Sequence, residues 1–447
     1  MRVSDFFQLA ENQTSIRTEL LAGATTFLSM AYILFVQPAV LATDFAGQPT
    51  GLEAGAVLLA TCLASAFGTA LMGLLARYPI ALAPGMGENF FFVSVCMSLS
   101  ALGVAHAWQT ALAIVFLSGL IFLALSLVRL REAVIESVSP SLCCGIAAGI
   151  GLFIAFIGLK NAGLIIGKPG TLVGLNTHPV GADLAVFGVG LLVAAGLQAR
   201  KVRGAILLGI LAAAATALAL GKTHYTGLVG FPQIKTGAIG QMDFAGALSP
   251  TALPFIAVFL FMVLFDTVGT LVGVTQQAGL MQGNKLPRAT QAFFADAAAT
   301  TVGAALGTST VTSYIESATG VQTGGRTGLT ALTVAALFLL ALFFSPLIAM
   351  VGGYAPITAP ALVLVGALMM QSVTRVAWDD FSEAVPAFLA LLGIPLTFSI
   401  ADGIALSFVS YPVIKLLGGR ARDVGWPMWV VAALLLYYFL AVRPLTG

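Results

Sequence analysis

Apolar segments of about twenty residues recur along the whole of this chain, and that repetition constrains its fold more than any single motif. They run over 17–41, 53–76, 80–99, 107–128, 139–159, 181–199 and 203–220, and again over 251–280, 288–305, 308–323, 326–348, 356–372, 384–399 and 402–417. Most approach the ~20 residues a helix needs to cross a hydrocarbon core, and two or three are shorter. The chain is 59% hydrophobic and only 9% charged, more apolar than a soluble core requires. The expected fold class is therefore an all-α polytopic membrane protein, with the lipid bilayer as its solvent. A net charge of +2 gives no footing for nucleic acid. Cys62, Cys96, Cys143 and Cys144 lie in apolar runs without metal-ligand spacing and read as small buried hydrophobes. His106, His178 and His224 are far apart, so no metal site and no cofactor is expected. The polar start, Met1 to Gln13, and the length of the first apolar run do not fit a cleavable signal peptide.

A polar stretch over 221–250 divides the segments into seven and seven. An odd number of crossings per half inverts the second half relative to the first. The basic residues agree. Arg77, then Arg129 and Arg131, then Arg200, Lys201 and Arg203 follow the second, fourth and sixth segments. Lys285 and Arg288, Arg326, Arg375, then Arg420 and Arg422 follow the eighth, tenth, twelfth and fourteenth. Positive residues favour the cytoplasmic side, which predicts a multi-pass cell (inner) membrane protein with a cytoplasmic N-terminus. Lys160, Lys168, Lys222 and Lys235 are exceptions in the two longest loops, where the rule is weakest. Residues 1–17 read as a short amphipathic lead-in. A last apolar piece, Trp426 to Val442, falls outside the two sevens. Its Trp and Tyr residues suit an interface, and it can lie flat or cross.

Two segments are interrupted at equivalent places. Segment ten contains Gly307-Thr308-Ser309-Thr310-Val311-Thr312-Ser313-Tyr314-Ile315-Glu316. Its first part is β-branched and polar and predicts extended backbone, with a short helix able to start from Ser313 onward. Segment three contains Ala83-Pro84-Gly85-Met86-Gly87-Glu88-Asn89-Phe90. Extended backbone at membrane depth cannot face lipid, so each piece must be buried or line a cavity. Paired interruptions in two halves of a membrane chain are the best sequence pointer to a transport site. Facing half-helices there can offer free N–H groups to a polar ligand.

Four carboxylates, Glu88, Asp266, Asp296 and Glu316, fall near the middle of apolar segments, where each costs roughly 3 kcal/mol to insert. Asp266, followed by Thr267, Gly269 and Thr270, reads as a ligand or proton site, against the plainer reading of a packing hydrogen bond. Glu316 reads as a binding group beside the break, against a helix-start role. Glu88 either meets ligand or partners the opposed half-helix, with Gly87 allowing close approach and Asn89 offering donor and acceptor together. Asp296 reads as a structural tie to the neighbouring strand. Phe27, Tyr32, Phe90, Phe91 and Phe92 can stack on a flat ligand or simply pack, with Phe90 best placed beside Asn89. No nucleophile–base pair and no nucleotide-binding loop is present, so an enzyme is not expected.

At these residues the chain resembles the azaguanine-type purine nucleobase permeases, within the nucleobase–ascorbate and xanthine–uracil permease superfamily. The resemblance is carried by Glu19 through Ile33, Ala83-Pro84-Gly85-Met86-Gly87, Leu264 through Thr270, and Gly307 through Gly328. It implies the uracil-permease fold: two inverted seven-segment repeats with short strands in segments 3 and 10. It implies a core domain of segments 1–4 (17–129) and 8–11 (251–348). A gate domain would comprise 5–7 (139–220) and 12–14 (356–417), leaving 418–447 as the C-terminal apolar segment. It implies import of adenine, guanine or hypoxanthine with protons, and contacts to the base from Asp266, Glu316 and Asn89. The chain departs from the family at Glu88, where an apolar residue usually precedes the asparagine. Glu88 thus joins Asp266 and Glu316 as a proton-coupling candidate. Purine acceptors would meet backbone N–H groups near Gly87 and Ile315, with Ser313, Phe90 and Phe27 alongside. One rigid bundle would move against the other, and a homodimer through the gate domain is compatible with this arrangement. A xanthine or pyrimidine carrier and an anion transporter on the same fold are the alternatives.

Overall fold

The structure, a computed structural model, describes residues 3–127, 139–168, 172–178, 180–232, 234–281 and 286–445. Arg129, Arg131 and Lys285, which carry part of the charge pattern, lie outside the described residues. The first half contains α1 (Ile16–Met30), α2 (Ile33–Ala42), α3 (Ala54–Leu71), β1 (Leu82–Pro84), α4 (Met86–Ala101) and α5 (Ala107–Leu127). It continues through α6 (Pro140–Asn161), a hairpin of β2 (Ile165–Lys168) and β3 (Leu172–Leu175), α7 (Gly181–Ala199) and α8 (Ala205–Ala219). The second half contains α9 (Leu253–Gln277), α10 (Ala289–Leu306), β4 (Val311–Ser313), α11 (Ser317–Gln322), α12 (Gly328–Ala341) and α13 (Ser345–Gly352). It closes with α14 (Ala355–Met369), α15 (Phe381–Thr397), α16 (Ile400–Leu417) and α17 (Trp426–Tyr437). The two sevens are therefore present, with a strand and a helix replacing a continuous span in segments three and ten. Among the described residues nine helices are long and apolar enough to cross alone. The broken segments and shorter helices make up the difference. The β2–β3 hairpin sits in a loop and was not foreseen.

Packing sorts the helices into two groups. In the first, α10 lies on α3 and α5, and α12 lies on α1 and α3. In the second, α6 packs on α14 and α15, α15 on α16, and α7 on α8 and α14. Close crossings carry glycine where side chains would collide. A Cβ on Gly328 would overlap the backbone of Gly73.

β1 and β4 join the two halves. They pair antiparallel, with Leu82 opposite Ser313, Ala83 opposite Thr312 and Pro84 opposite Val311. Backbone bonds extend the ladder from Tyr314 N to Ala81 O (2.9 Å) and from Gly85 N to Thr310 O (3.2 Å). A two-strand sheet still has two open edges, and in a membrane these need partners. Hydroxyls supply them. Thr69 Oγ1 donates to Leu82 O (3.0 Å) and accepts from Leu82 N (2.8 Å). Thr300 Oγ1 donates to Val311 O (2.9 Å), and Ala81 N donates to Ser317 Oγ (3.0 Å). The sequence allowed a helix from Ser313, yet α11 begins at Ser317. Ser313 is held extended because its N and Oγ both donate to Asp296 (2.9 and 2.7 Å).

Candidate functional site

The sheet opens on a cavity of about 490 Å³, within the range of small-molecule sites. One wall is the strand crossing and its neighbours: Tyr32, Gly85 to Glu88, Asp266, and Thr312 to Glu316. The facing wall is the second helix group, with Ile146, Ile150 and Met369 at the centre and Arg375 and Gln371 at its rim. Gly87 sets the approach of the two walls, since a Cβ there would stand 3.2 Å from Ile150 Cγ2.

The carboxylates differ in what they leave free. Asp266, in α9, opens to the cavity, and its Oδ2 accepts from Thr312 Oγ1 (2.9 Å). Glu316 Oε1 accepts from the Tyr32 hydroxyl (2.8 Å). Among the described residues no other residue donates to Asp266 Oδ1 or Glu316 Oε2. Each acid is thus oriented by one hydroxyl through one oxygen, and both acids line the cavity. Glu88, in the first turn of α4, is buried and lines the same cavity. Its carboxylate folds back over the Cα of Gly85, beside Thr312 Oγ1, so that a Cβ at Gly85 would displace it. Asp296 is fully buried, and its oxygens take Thr267 Oγ1 (2.8 Å) and both donors of Ser313. It ties α9, α10 and β4 together, as its position in sequence implied.

Of the sequence-predicted residues, Asp266, Glu316, Glu88, Gly87, Ile315 and Ser313 share this cavity. Three do not. Asn89 is fully buried and its Oδ1 accepts from Ser309 Oγ, so its side chain serves the sheet. Phe90 packs with Phe45 and Phe153 (centroids 6.2 Å each) against a second hollow of about 1050 Å³. Phe27 meets Phe338 edge-on at 5.3 Å, between α1 and α12. Helical spacing explains the split. Successive residues of α4 point about 100° apart, so Gly87 and Glu88 face the cavity while Asn89 and Phe90 turn away. Sequence reasoning missed Tyr32 and Thr312 as orienting donors. A hydroxyl-bearing residue at the break between α1 and α2 is the signal that marks Tyr32.

The acid-lined cavity sits at a strand crossing inside a fourteen-segment membrane fold, and the family and relatives matched make the chain a permease and not an enzyme. The chain belongs to the Xan_ur_permease family, a permease family whose sequence pattern matches residues 17–406. That places it in the nucleobase–ascorbate and xanthine–uracil permease superfamily. It is 44% identical over 441 residues to the guanine/hypoxanthine permease PbuO of Bacillus subtilis, covering 98% of this chain and 100% of that one. It is also 44% identical over 436 residues to the adenine permease AdeQ of Escherichia coli, covering 97% and 95%. Among solved structures, the transmembrane domain of the cyanobacterial bicarbonate transporter BicA superposes with a TM-score of 0.66 at 15% identity, over 87% of this chain and 97% of that one. SLC26A9 superposes with a TM-score of 0.63 at 14% identity, over 90% and 66%. Identities that low speak for the inverted-repeat fold alone.

Proposed function

We propose that this chain is a secondary transporter that imports purine nucleobases such as guanine, hypoxanthine or adenine together with protons. The observation that carries the reading is the pair Asp266 and Glu316, each oriented by one hydroxyl and both lining the same cavity. A purine edge presents ring and exocyclic N–H groups to such acceptors. Relatives named as guanine/hypoxanthine and adenine permeases, at 44% identity over nearly the whole chain, support that choice. A protonated carboxyl donates as well as accepts, whereas an ionised one only accepts. Protonation of Asp266, Glu316 or Glu88 therefore changes which base edge fits and links the two loads. Alternating access follows if the first helix group, the core (17–129 and 251–348), moves as a body against the second, the gate (139–220 and 356–417). The basic loops support a cytoplasmic N-terminus. The apolar outer face of α7, with Leu192 well exposed, suits a homodimer through the gate.

Uptake of labelled hypoxanthine, guanine and adenine into reconstituted vesicles under an inward proton gradient tests this. Asp266→Asn and Glu316→Gln should each lower uptake efficiency about ten- to hundredfold, the worth of a hydrogen bond to a charged group. Full proton-linked uptake by Asp266→Ala would sink the assignment. Competition by a panel of bases separates purine from xanthine or pyrimidine transport. Chloride or bicarbonate currents without purine would instead support an anion transporter, which the three acids disfavour.

A further inference from the structure

The helix from Trp426 to Val442 stands outside both repeats, and its contacts fix its course. It begins just after a polar knot in which Arg420 pairs with Asp380 (2.6 Å) and Asp423 (2.8 Å) at the end of α16. It ends beside the opposite tip of α16. There Asp402, in the first turn of α16 and nearly buried, accepts from the Tyr438 hydroxyl (2.8 Å) and from Arg443 Nε (2.9 Å). The Tyr438 ring also meets Phe255, in the first turn of α9, at 5.6 Å. Two independent marks thus put residues 438–443 at one end of the bundle and Trp426 at the other. Seventeen helical residues reach about 26 Å, close to the hydrocarbon thickness. One side of the helix is buried (Met428, Val431, Leu435), and the other leaves Trp429, Val430, Leu436 and Leu440 exposed and apolar. Trp426 and Trp429 sit exposed near one end and Tyr437 near the other, as interfacial aromatics do. Val431 and Leu435 reach the cavity that Asp266 lines.

We propose that this helix is a fifteenth membrane crossing, clamped to α16 by Asp402, and that it walls the substrate cavity off from lipid. It packs on both α9 and α16, so it bridges the helix that carries Asp266 and the last helix of the second group. Its crossing carries residues 443–445 to the face opposite the loop at Arg422. Asp402 and Arg443 are positioning residues in this scheme, and Val431 and Leu435 touch the cavity directly. The wall function rests on the substrate assignment above, whereas the crossing does not.

The test has two arms. With Cys143 and Cys144 replaced by serine, Pro444→Cys and Arg422→Cys are labelled with a membrane-impermeant maleimide in right-side-out and inverted vesicles. The expected result is labelling from opposite sides; labelling of both from one side overturns the crossing, whatever the substrate is. In the second arm, Val431→Ala and Leu435→Ala should raise the KM for the transported base roughly fivefold, about 1 kcal/mol of lost contact. Their maximal rate per inserted protein should stay near that of the parent, which a folding defect would lower instead. Arg443→Leu should raise KM in the same way and Arg443→Lys should recover most of it. An unmoved KM in all three overturns the wall.

Discussion

Asp266 and Glu316 each take a protein hydroxyl on one oxygen, and both line the cavity. The hydroxyls come from different elements, Thr312 from β4 and Tyr32 from the break between α1 and α2. Each fixes a carboxylate rotamer before any ligand arrives, which is preorganisation in its simplest form. Tyr32→Phe keeps the ring and deletes the donor. Its expected effect is a three- to tenfold rise in KM with the protein still inserted and folded, on the order of 1 kcal/mol for one hydrogen bond. Saturation curves for uptake beside the parent check it, and an unchanged KM would show that Tyr32 does not set the acid. The three acids were legible in sequence because carboxylates are so costly at membrane depth. Asn89 and Phe90 stand outside the cavity because one helical turn decides which neighbour faces inward, and near α4 that phase depends on where the strand ends.

At the scale of elements, the strands depend on helix hydroxyls for their outer bonds. Thr300→Val should strip the Val311 carbonyl of its donor and cost about 1–3 kcal/mol, as for any buried polar group left unmatched. A melting temperature several degrees lower in detergent checks this, while Thr301→Val, whose hydroxyl bonds only within its own helix, serves as the control. One carboxylate is among the groups that pin the loop over 221–250. Asp243 accepts from Gly246 N (3.1 Å) and from Thr110 Oγ1 (3.0 Å). The Gly246 N–H, and then the Thr110 hydroxyl, hold its carboxyl below the usual carboxylate range. A depressed folded-state pKa means the folded form binds fewer protons than the unfolded one in that window. Its contribution is then full above the ordinary carboxylate pKa and fades as pH falls through the folded value. Asp243→Ala should cost about 1 kcal/mol at pH 7, a typical N-cap loss, and the gap from the parent should narrow below pH 4. Thermal melts across that range check the sign. Segment count and the two breaks could be read from periodicity alone. The hairpin of β2 and β3 could not, because residues 165–175 show no alternation strong enough to stand against the loop composition around them.

Across the whole molecule, one apolar layer of rings borders the larger hollow. Phe45 and Phe90 meet Phe153 and Phe398 there, with Phe45–Phe153 at 5.2 Å and Phe153–Phe398 at 5.3 Å. The Lys160 ammonium caps this layer, donating to the Phe45 carbonyl and lying 5.6 Å from the Phe398 ring. The layer joins the two helix groups, and as a barrier it would keep the acid-lined cavity apart from the larger hollow, which Phe45 and Phe90 line. Moving one group against the other requires these rings to part. Phe153→Ala removes the ring common to most of those contacts. The expected outcome is faster modification of a cysteine placed at Asp266 by reagent entering from the larger hollow, by tenfold or more, for about 1.5 kcal/mol of lost aromatic contact. An unchanged rate would show that the layer is not the barrier. The inverted halves themselves were legible in sequence, since seven segments per half and the placement of arginines both demand them. The ring layer was not, because its members come from four distant stretches whose phenylalanines look like every other membrane phenylalanine.

The pairing of β1 with β4 also sets a schedule for making the protein. The hydroxyl of Tyr314 bonds the Pro84 carbonyl (2.5 Å) across 230 residues of chain. At the usual pace of synthesis, the first strand is complete on the order of ten to fifty seconds before its partner leaves the ribosome. Through that interval the first half sits in the membrane with an open strand edge. Newly made chains must therefore be sheltered until the second half arrives, and a chain stopped anywhere before residue 313 carries a defect that its own sequence cannot repair.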